Sequence, residues 1–381
     1  MSYLLKHIDK PLLRFKMTID PIQGLSITIQ DNYLEYKQFL PLDLEVSSTG
    51  ILQWLKRRVI PKNRAFVQQF LSKQGLSIQD TKGIIDTCKG LSLNDCYWVI
   101  DDNFKKTFDE YNLYEHHFSQ ILALIAYTGY GESIHRRFVS SPELTTDGML
   151  AKCWRRINGK IVLYKAGSTG AANTGNEPYS EYYAAQIAQT MGLDAITYNL
   201  SHWKGKLCST CQLFTNKEQG YIPIGRLITT GGWATVLNYY QQLGTDYYQS
   251  LLDMLIFDAV ICNEDRHFGN FGLLINNHTN QIIKPAPIFD NGLSLFNYAM
   301  DDDLENIDTY AKTRSMATGQ DFITFAQAII TKQQKEKLRA LINFKFKKHT
   351  RYNLSSNRLK ILESFIQQRV KMLLALHINK L

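Results

Sequence analysis

The chain has 381 residues, of which 44% are hydrophobic and 20% charged, and it carries a net charge of +8. This is the composition of a globular protein with material for two or three domains, and six scattered cysteines exclude a disulfide framework. No apolar run approaches the roughly eighteen residues that span a bilayer, and the opening MSYLLKHIDK has charges where a signal peptide needs an apolar core, so the cytoplasm is the expected location.

Residues 1–135 read as an accessory region of mixed α/β character. Strand-like runs (FKMTI, LSITI) alternate with helical ones. One helix is predicted after Pro61, where KNRAFVQQFLSKQG stops at Gly75. A second is predicted over LYEHHFSQILALIAY, with Leu113, Phe118, Ile121, Leu122 and Ile125 on one face. NDCYWV at 94–99 reads as core and turn. This region carries no chemical constellation.

The texture changes near residue 136. TTDGMLAKCWRRINGKIVLYKAG reads as two strands joined by a tight turn at Asn158-Gly159, a strong hairpin signal. In the turn before this hairpin, backbone N–H groups from Thr146 through Asp147 to Gly148, with the hydroxyls of Thr145 and Thr146, offer a phosphate cradle. The loop GSTGAANTGN at 167–176 matches neither G-x-G-x-x-G nor a Walker A loop and reads as a connector. SEYYAAQIAQTMGL is predicted as a helix capped by Ser180 and stopped by Gly192. LCSTCQLF reads as a strand; its Cys208 and Cys211 lack the second pair that a structural zinc site needs.

From Asp246 the chain turns helical. In YYQSLLDMLIFDAVICN, residues Leu251, Leu252, Leu255, Ile256, Ala259 and Val260 repeat at helical spacing, and the segment is apolar nearly all round, so a deep helix is expected. The polar cluster NEDRHFGN follows at once. FGLLINN, a turn at HTN and QIIKPAPIFD read as a hairpin ending in Asp290-Asn291-Gly292. DDDLENID at 301–308 reads as a solvated acidic loop. Between Lys332 and Arg351 stand eight basic residues against one acid, Glu336; without a zinc-finger or RNP signature this reads as a solvated basic face rather than a nucleic-acid site. A long amphipathic helix capped by Ser355 or Ser356 closes the chain.

Asp265, Asn270 five residues on, and Asp290 after a hairpin form the pattern that phosphoryl transfer needs. One carboxylate takes the proton of an attacking hydroxyl, while an amide oxygen and a second carboxylate hold Mg²⁺ against the phosphates of ATP. Such a site also needs a cation on the phosphates, supplied by Lys165 at the end of the apolar strand IVLYK. An acid must hold that lysine. Glu181, which begins the periodic face of the next helix, is preferred over Glu177, which precedes the expected cap.

NEDRHFGNF, IFDNG and the upstream Lys165, together with TTDGMLAKCW and EYYAAQIAQTMGL, resemble the HipA-like kinases, including the CtkA-type bacterial members, over about residues 140–295. The resemblance implies an α+β, two-lobed protein-kinase-like core. Its small β-rich N-lobe would occupy 136–215 and its helical C-lobe 216–381, after the accessory region. It implies Asp265 as catalytic carboxylate, Asn270 and Asp290 as Mg²⁺ ligands, Lys165 on the ATP phosphates, the 145–149 turn over them, and His267 orienting the loop. It also implies a Ser/Thr acceptor on a protein, often the kinase itself, and for several members a toxin held by a small antitoxin. Ser140, Ser141, Thr145 and Thr146 make autophosphorylation an expectation for this chain. The string DRHxxN also resembles the phosphoinositide kinases, so a lipid or other small-molecule kinase and an inactive ATP-binding module stand as alternatives.

Overall fold

A computed structural model describes residues 1–132 and 141–378; Ser140 and its autophosphorylation expectation lie outside the described residues. The fold is mixed α+β. The chain divides into two compact units. The first comprises residues 1–164, 212–222 and 274–283, and the second 165–211, 223–273 and 284–381.

The first unit opens with β1 (Ser2–His7), β2 (Lys10–Asp20) and β3 (Gly24–Asn32), followed by α1 (Ser48–Lys56), α2 (Val67–Ser72), α3 (Thr81–Cys88) and β4 (Tyr97–Asp101). The four strands form an antiparallel sheet ordered β3-β2-β1-β4. Alternation in β1 turns Tyr3, Leu5 and His7 inward, onto a core with Phe15, Ile51, Trp54 and Leu55. The strand-like runs FKMTI and LSITI lie in β2 and β3. The helix expected over 113–127 is shorter: α4 spans Gln120–Thr128. The side chain of Asn112 accepts from the N–H groups of Tyr114 and Glu115 at 3.0 Å each, turning the chain there, and Ser119 then caps the helix by accepting from Leu122 N. Ile121 is therefore exposed rather than core. The helix expected from the residues after Pro61 is likewise brief, beginning only at Val67.

β5 (Lys152–Ile157) and β6 (Lys160–Ala166) pair about Asn158-Gly159, both left-handed at φ 50° and 77° as a tight hairpin turn requires. The last two residues of β6, Lys165 and Ala166, open the second unit.

The second unit continues with α5 (Glu177–Thr190) and the antiparallel hairpin β7 (Tyr198–Trp203) and β8 (Lys206–Gln212). After β9 (Gln219–Pro223), which belongs to the first unit up to Ile222, the second unit resumes with α6 (Ile224–Leu227), α7 (Gly232–Leu243) and α8 (Thr245–Ile261). β10 (Gly272–Asn276) and β11 (Ile282–Pro285) form with β9 a small sheet ordered β11-β10-β9, whose residues 219–222, 274–276 and 282–283 belong to the first unit. The remainder is helical: α9 (Asp301–Glu305), α10 (Ile307–Lys312), α11 (Phe322–Ile329), α12 (Lys332–Arg339) and α13 (Ser356–Ala375). Ser355 caps α13, accepting from Arg358 N at 3.1 Å.

Helix α5 departs from expectation at its start. It begins at Glu177 with Pro178 in its first turn, where a missing N–H costs nothing, so Asn176 and not Ser180 is the cap residue. Ser180 lies inside the helix and donates to Ser294 O at 2.8 Å. Helix α8 is the deep helix that its composition predicts: Leu251 through Ile261 are all buried, and α7, α11, α12 and α13 pack around it. No described helix is long and apolar enough to cross a membrane.

Candidate active site

The site grows from the C-terminal end of α8. The helix stops at Cys262, which takes the left-handed conformation at φ 50° and returns its N–H to Asp258 O. Asn263 N also bonds Asp258 O, at 3.1 Å, so the chain leaves the helix in a tight turn. Two backbone bonds then tie the loop down: Glu264 N to Leu293 O at 2.9 Å and Leu295 N to Ile261 O at 2.8 Å. A rigid apolar helix thus fixes where the following polar residues stand.

Asp265 is half-buried, its backbone oxygen accepting from His267 N at 2.7 Å and from the Asn270 side-chain amide at 2.9 Å. Burial pushes its carboxyl above the ordinary aspartate range; Asp290 pushes the same way, while His267 and Lys165 pull it back. Asn270 is buried, and because its nitrogen is committed to Asp265 O, its side-chain oxygen is the end left for a ligand. His267 is exposed and accepts from Gly269 N at 3.0 Å through Nδ1, a local brace of the loop.

Asp290 adopts φ 55° at the turn after β11, a conformation that Asp tolerates better than most residues. Its N–H donates to the hydroxyl of Tyr198 at 3.1 Å. Lys165 lies against both acids of the site: its ammonium donates to Glu181 at 2.9 Å and to Asp290. Burial opposes the lysine charge, but Asp290 and Glu181 outweigh it and hold the group above the usual lysine range. The second oxygen of Glu181 accepts from Asn291 N at 2.8 Å. Glu177 does not touch the lysine. It is buried, accepts from the backbone and hydroxyl of Ser168 and from Tyr298 OH at 2.9 Å, and so pins the 167–176 loop.

The second unit therefore brings Lys165, Glu181 and Asp290 into direct contact, with Asp265 near enough for their charges to move its proton affinity. Thr145, Thr146, Asp147 and Gly148 belong to the first unit. There the hydroxyl of Thr145 donates to Leu91 O at 2.8 Å and that of Thr146 to Pro142 O at 2.6 Å. Their hydrogens are committed within the protein, which leaves a phosphate cradle in this turn to its backbone. Gly148 sits at φ 91°, and a β-carbon there would stand 2.1 Å from Lys152 Nζ, so the position disfavours any side chain.

Asp258 and Arg266 were not singled out by sequence reasoning. Both are 1% exposed and joined by two parallel bonds of 2.8 and 3.0 Å. The signal was present, since an aspartate inside an otherwise apolar helix needs a buried partner. Asp253, one turn and a residue earlier, answers the same need with Lys337 at 2.6 Å and Gln334 at 2.8 Å, which accounts for one charge of the basic segment.

Among the described residues no three His, Cys, Asp or Glu side chains gather into a metal cage. The two expected ligands, an amide oxygen at Asn270 and a carboxylate at Asp290, would make a hard, sparse donor set. That set suits Mg²⁺, which keeps most of its waters, and not zinc.

A strand lysine held by a helix glutamate, a carboxylate–asparagine loop behind a buried helix and an aspartate turn together form the layout of a protein-kinase-like fold. No family model matches the chain. A curated relative, the serine/threonine-protein kinase CtkA of Helicobacter pylori strain J99, is 30% identical over 140 residues, 33% of this chain and 43% of that protein. The match therefore spans less than half of the relative's length. The fold is shared with a chain of the Shewanella oneidensis MR-1 toxin–antitoxin complex of HipA, HipB and operator DNA: TM-score 0.53, 12% identity, covering 99% of this chain and 100% of that one. The crystal structure of the Helicobacter pylori proinflammatory kinase CtkA aligns at TM-score 0.46 and 20% identity, over 58% of this chain and 92% of that one. The chain is similar to the HipA-like kinases, CtkA-type members among them.

Proposed function

We propose that the chain is a kinase that moves the γ-phosphoryl group of ATP to a serine or threonine hydroxyl of a protein, its own included. The observation that carries the reading is the contact of Lys165 with both Glu181 and Asp290, in the same compact unit as Asp265 and Asn270. In the transfer, the acceptor oxygen forms its bond to phosphorus as the bond to the leaving ADP oxygen breaks, and the acceptor proton passes to Asp265. A carboxyl raised by burial is suited to receive that proton. Lys165, oriented by Glu181, meets the phosphates as a fixed positive charge. Asn270 and Asp290 would hold Mg²⁺, which would supply charge neutralisation at the phosphates. The protein's own contribution is position and electrostatics set before the substrate arrives. A small antitoxin-like regulator belongs to the same proposal, supported by the HipA fold neighbour that is described together with HipB.

The acceptor is tested with γ-labelled ATP and Mg²⁺, in parallel with protein and with inositol-lipid vesicles, followed by phosphopeptide mapping. Phosphoserine or phosphothreonine supports the reading. Label confined to lipid overturns it in favour of a lipid kinase, and nucleotide binding without transfer leaves an ATP-binding module.

A further inference from the structure

Arg266 directly follows Asp265 in the DRHxxN segment and reaches the residues on either side of Asp290, Phe289 and Asn291. A guanidinium has five N–H bonds and no acceptor, and all five are used here. Nε donates to Asp258 Oδ2 at 2.8 Å, and Nη2 to Asp258 Oδ1 at 3.0 Å. The other hydrogen of Nη2 goes to Asn291 Oδ1 at 2.6 Å. Nη1 divides its two between Asn270 O at 3.0 Å and Phe289 O at 2.7 Å. One side chain, 1% exposed, therefore joins helix α8, the catalytic loop and the turn that carries Asp290.

We propose that Arg266, seated on Asp258, is the positioning residue of this site: it locks Asn270 and Asp290 into one unit and so sets the affinity for the divalent cation. The proposal rests on the kinase reading and deepens it. The turn is pinned at each residue: Phe289 by its carbonyl to Arg266, Asp290 by its N–H to Tyr198, and Asn291 by its N–H to Glu181 and its side chain to Arg266. Asn263 completes the frame, donating to Asp258 Oδ1 at 3.0 Å and accepting from Asp265 N at 3.2 Å. Lys165 and Asp265 thus sit at opposite ends of one hydrogen-bonded path through Glu181, Asn291, Arg266, Asp258 and Asn263. A lysine at 266 keeps the charge beside Asp258 but has three donors on a single nitrogen and cannot span three segments.

The test is Arg266→Lys in the full chain, with ATP binding measured by calorimetry in Mg²⁺ and in chelator. Metal-free ATP affinity stays within about threefold of the native chain, because Lys165 is untouched, while Mg²⁺ affinity falls by about 10–100-fold, the range for loss of a residue that orients metal ligands. Amide exchange at Asn270 and at Asp290 rises together in the variant. If Arg266→Lys does not fold, the apolar pair Asp258→Leu with Arg266→Met, which removes both charges at once, carries the same expectation. Native-like Mg²⁺ affinity in a folded variant overturns the proposal. Failure of the native chain to transfer phosphate to any acceptor, with the Mg²⁺ effect of Arg266→Lys intact, sinks the kinase reading and leaves the positioning role standing.

Discussion

Asp265→Asn separates chemistry from folding. The two side chains have the same shape, so the loop bonds of Asp265, which run through its backbone N–H and carbonyl, are kept. What is lost is the proposed proton acceptor. Such groups contribute about 10²–10⁴-fold, so kcat falls by that factor, or about 3–5 kcal/mol of barrier. Stability moves the other way. The Asp265 carboxyl lies above its ordinary range in the folded chain, first because of burial, so the folded state binds the proton more tightly than the unfolded state. That contribution favours folding at low pH and is lost as the pH rises through the folded value. At pH 7 the ionised group therefore weighs against the fold, and a neutral amide relieves it. The variant's melting temperature should equal or exceed the native one at pH 7, and the difference should vanish in acid. Turnover of labelled ATP and a melting series across pH read both quantities. Turnover within tenfold of native, or a variant that melts several degrees lower at pH 7, would refute the reasoning.

Lys165→Ala leaves Glu181, 1% exposed at its side chain, facing Asp290, 30% exposed, with no cation between them. A loss of about 3 kcal/mol is expected, the low end for a broken buried pair because Asp290 reaches solvent. Urea unfolding should show it at pH 7, with recovery as the pH falls and the carboxylates take up protons; a loss that is flat with pH contradicts this. His267→Ala removes a positive influence that lowers the proton affinity of Asp265. The acid limb of the kcat profile should then move to higher pH, and an unmoved limb would show that His267 acts only as a brace.

Local signals were legible in the sequence where local chemistry decides. Asn158-Gly159 requires a hairpin, and the apolar girth of α8 requires burial; both appear as read. Where two local signals compete, the longer pattern misled. Periodicity over 113–127 read as one helix, yet Asn112 bends the chain and Ser119 restarts it. Ser180 read as a cap, yet Pro178 had already set the first turn. The spacing Asp265, Asn270 and Asp290, with Lys165 and Glu181 upstream, drew attention to groups that the fold gathers in one compact unit, with Lys165 on both Glu181 and Asp290. The residues that hold them were not legible, because their bonds cross the chain: Arg266 reaches Asn291 over 25 positions, and Glu181 reaches the same residue over 110. A buried charge in an apolar helix states that a partner exists without saying where.

The central claim is that Lys165, Asp265, Asn270 and Asp290 form a phosphoryl-transfer centre. Its most direct measurement is incubation of the purified chain with γ-labelled ATP, in Mg²⁺ and in chelator, beside Asp265→Asn and Asp290→Ala. Covalent label that appears only with the metal and is lost in both variants is the predicted result. Label retained in Asp265→Asn at near-native rate, or no label from the native chain with any protein acceptor, would contradict the account.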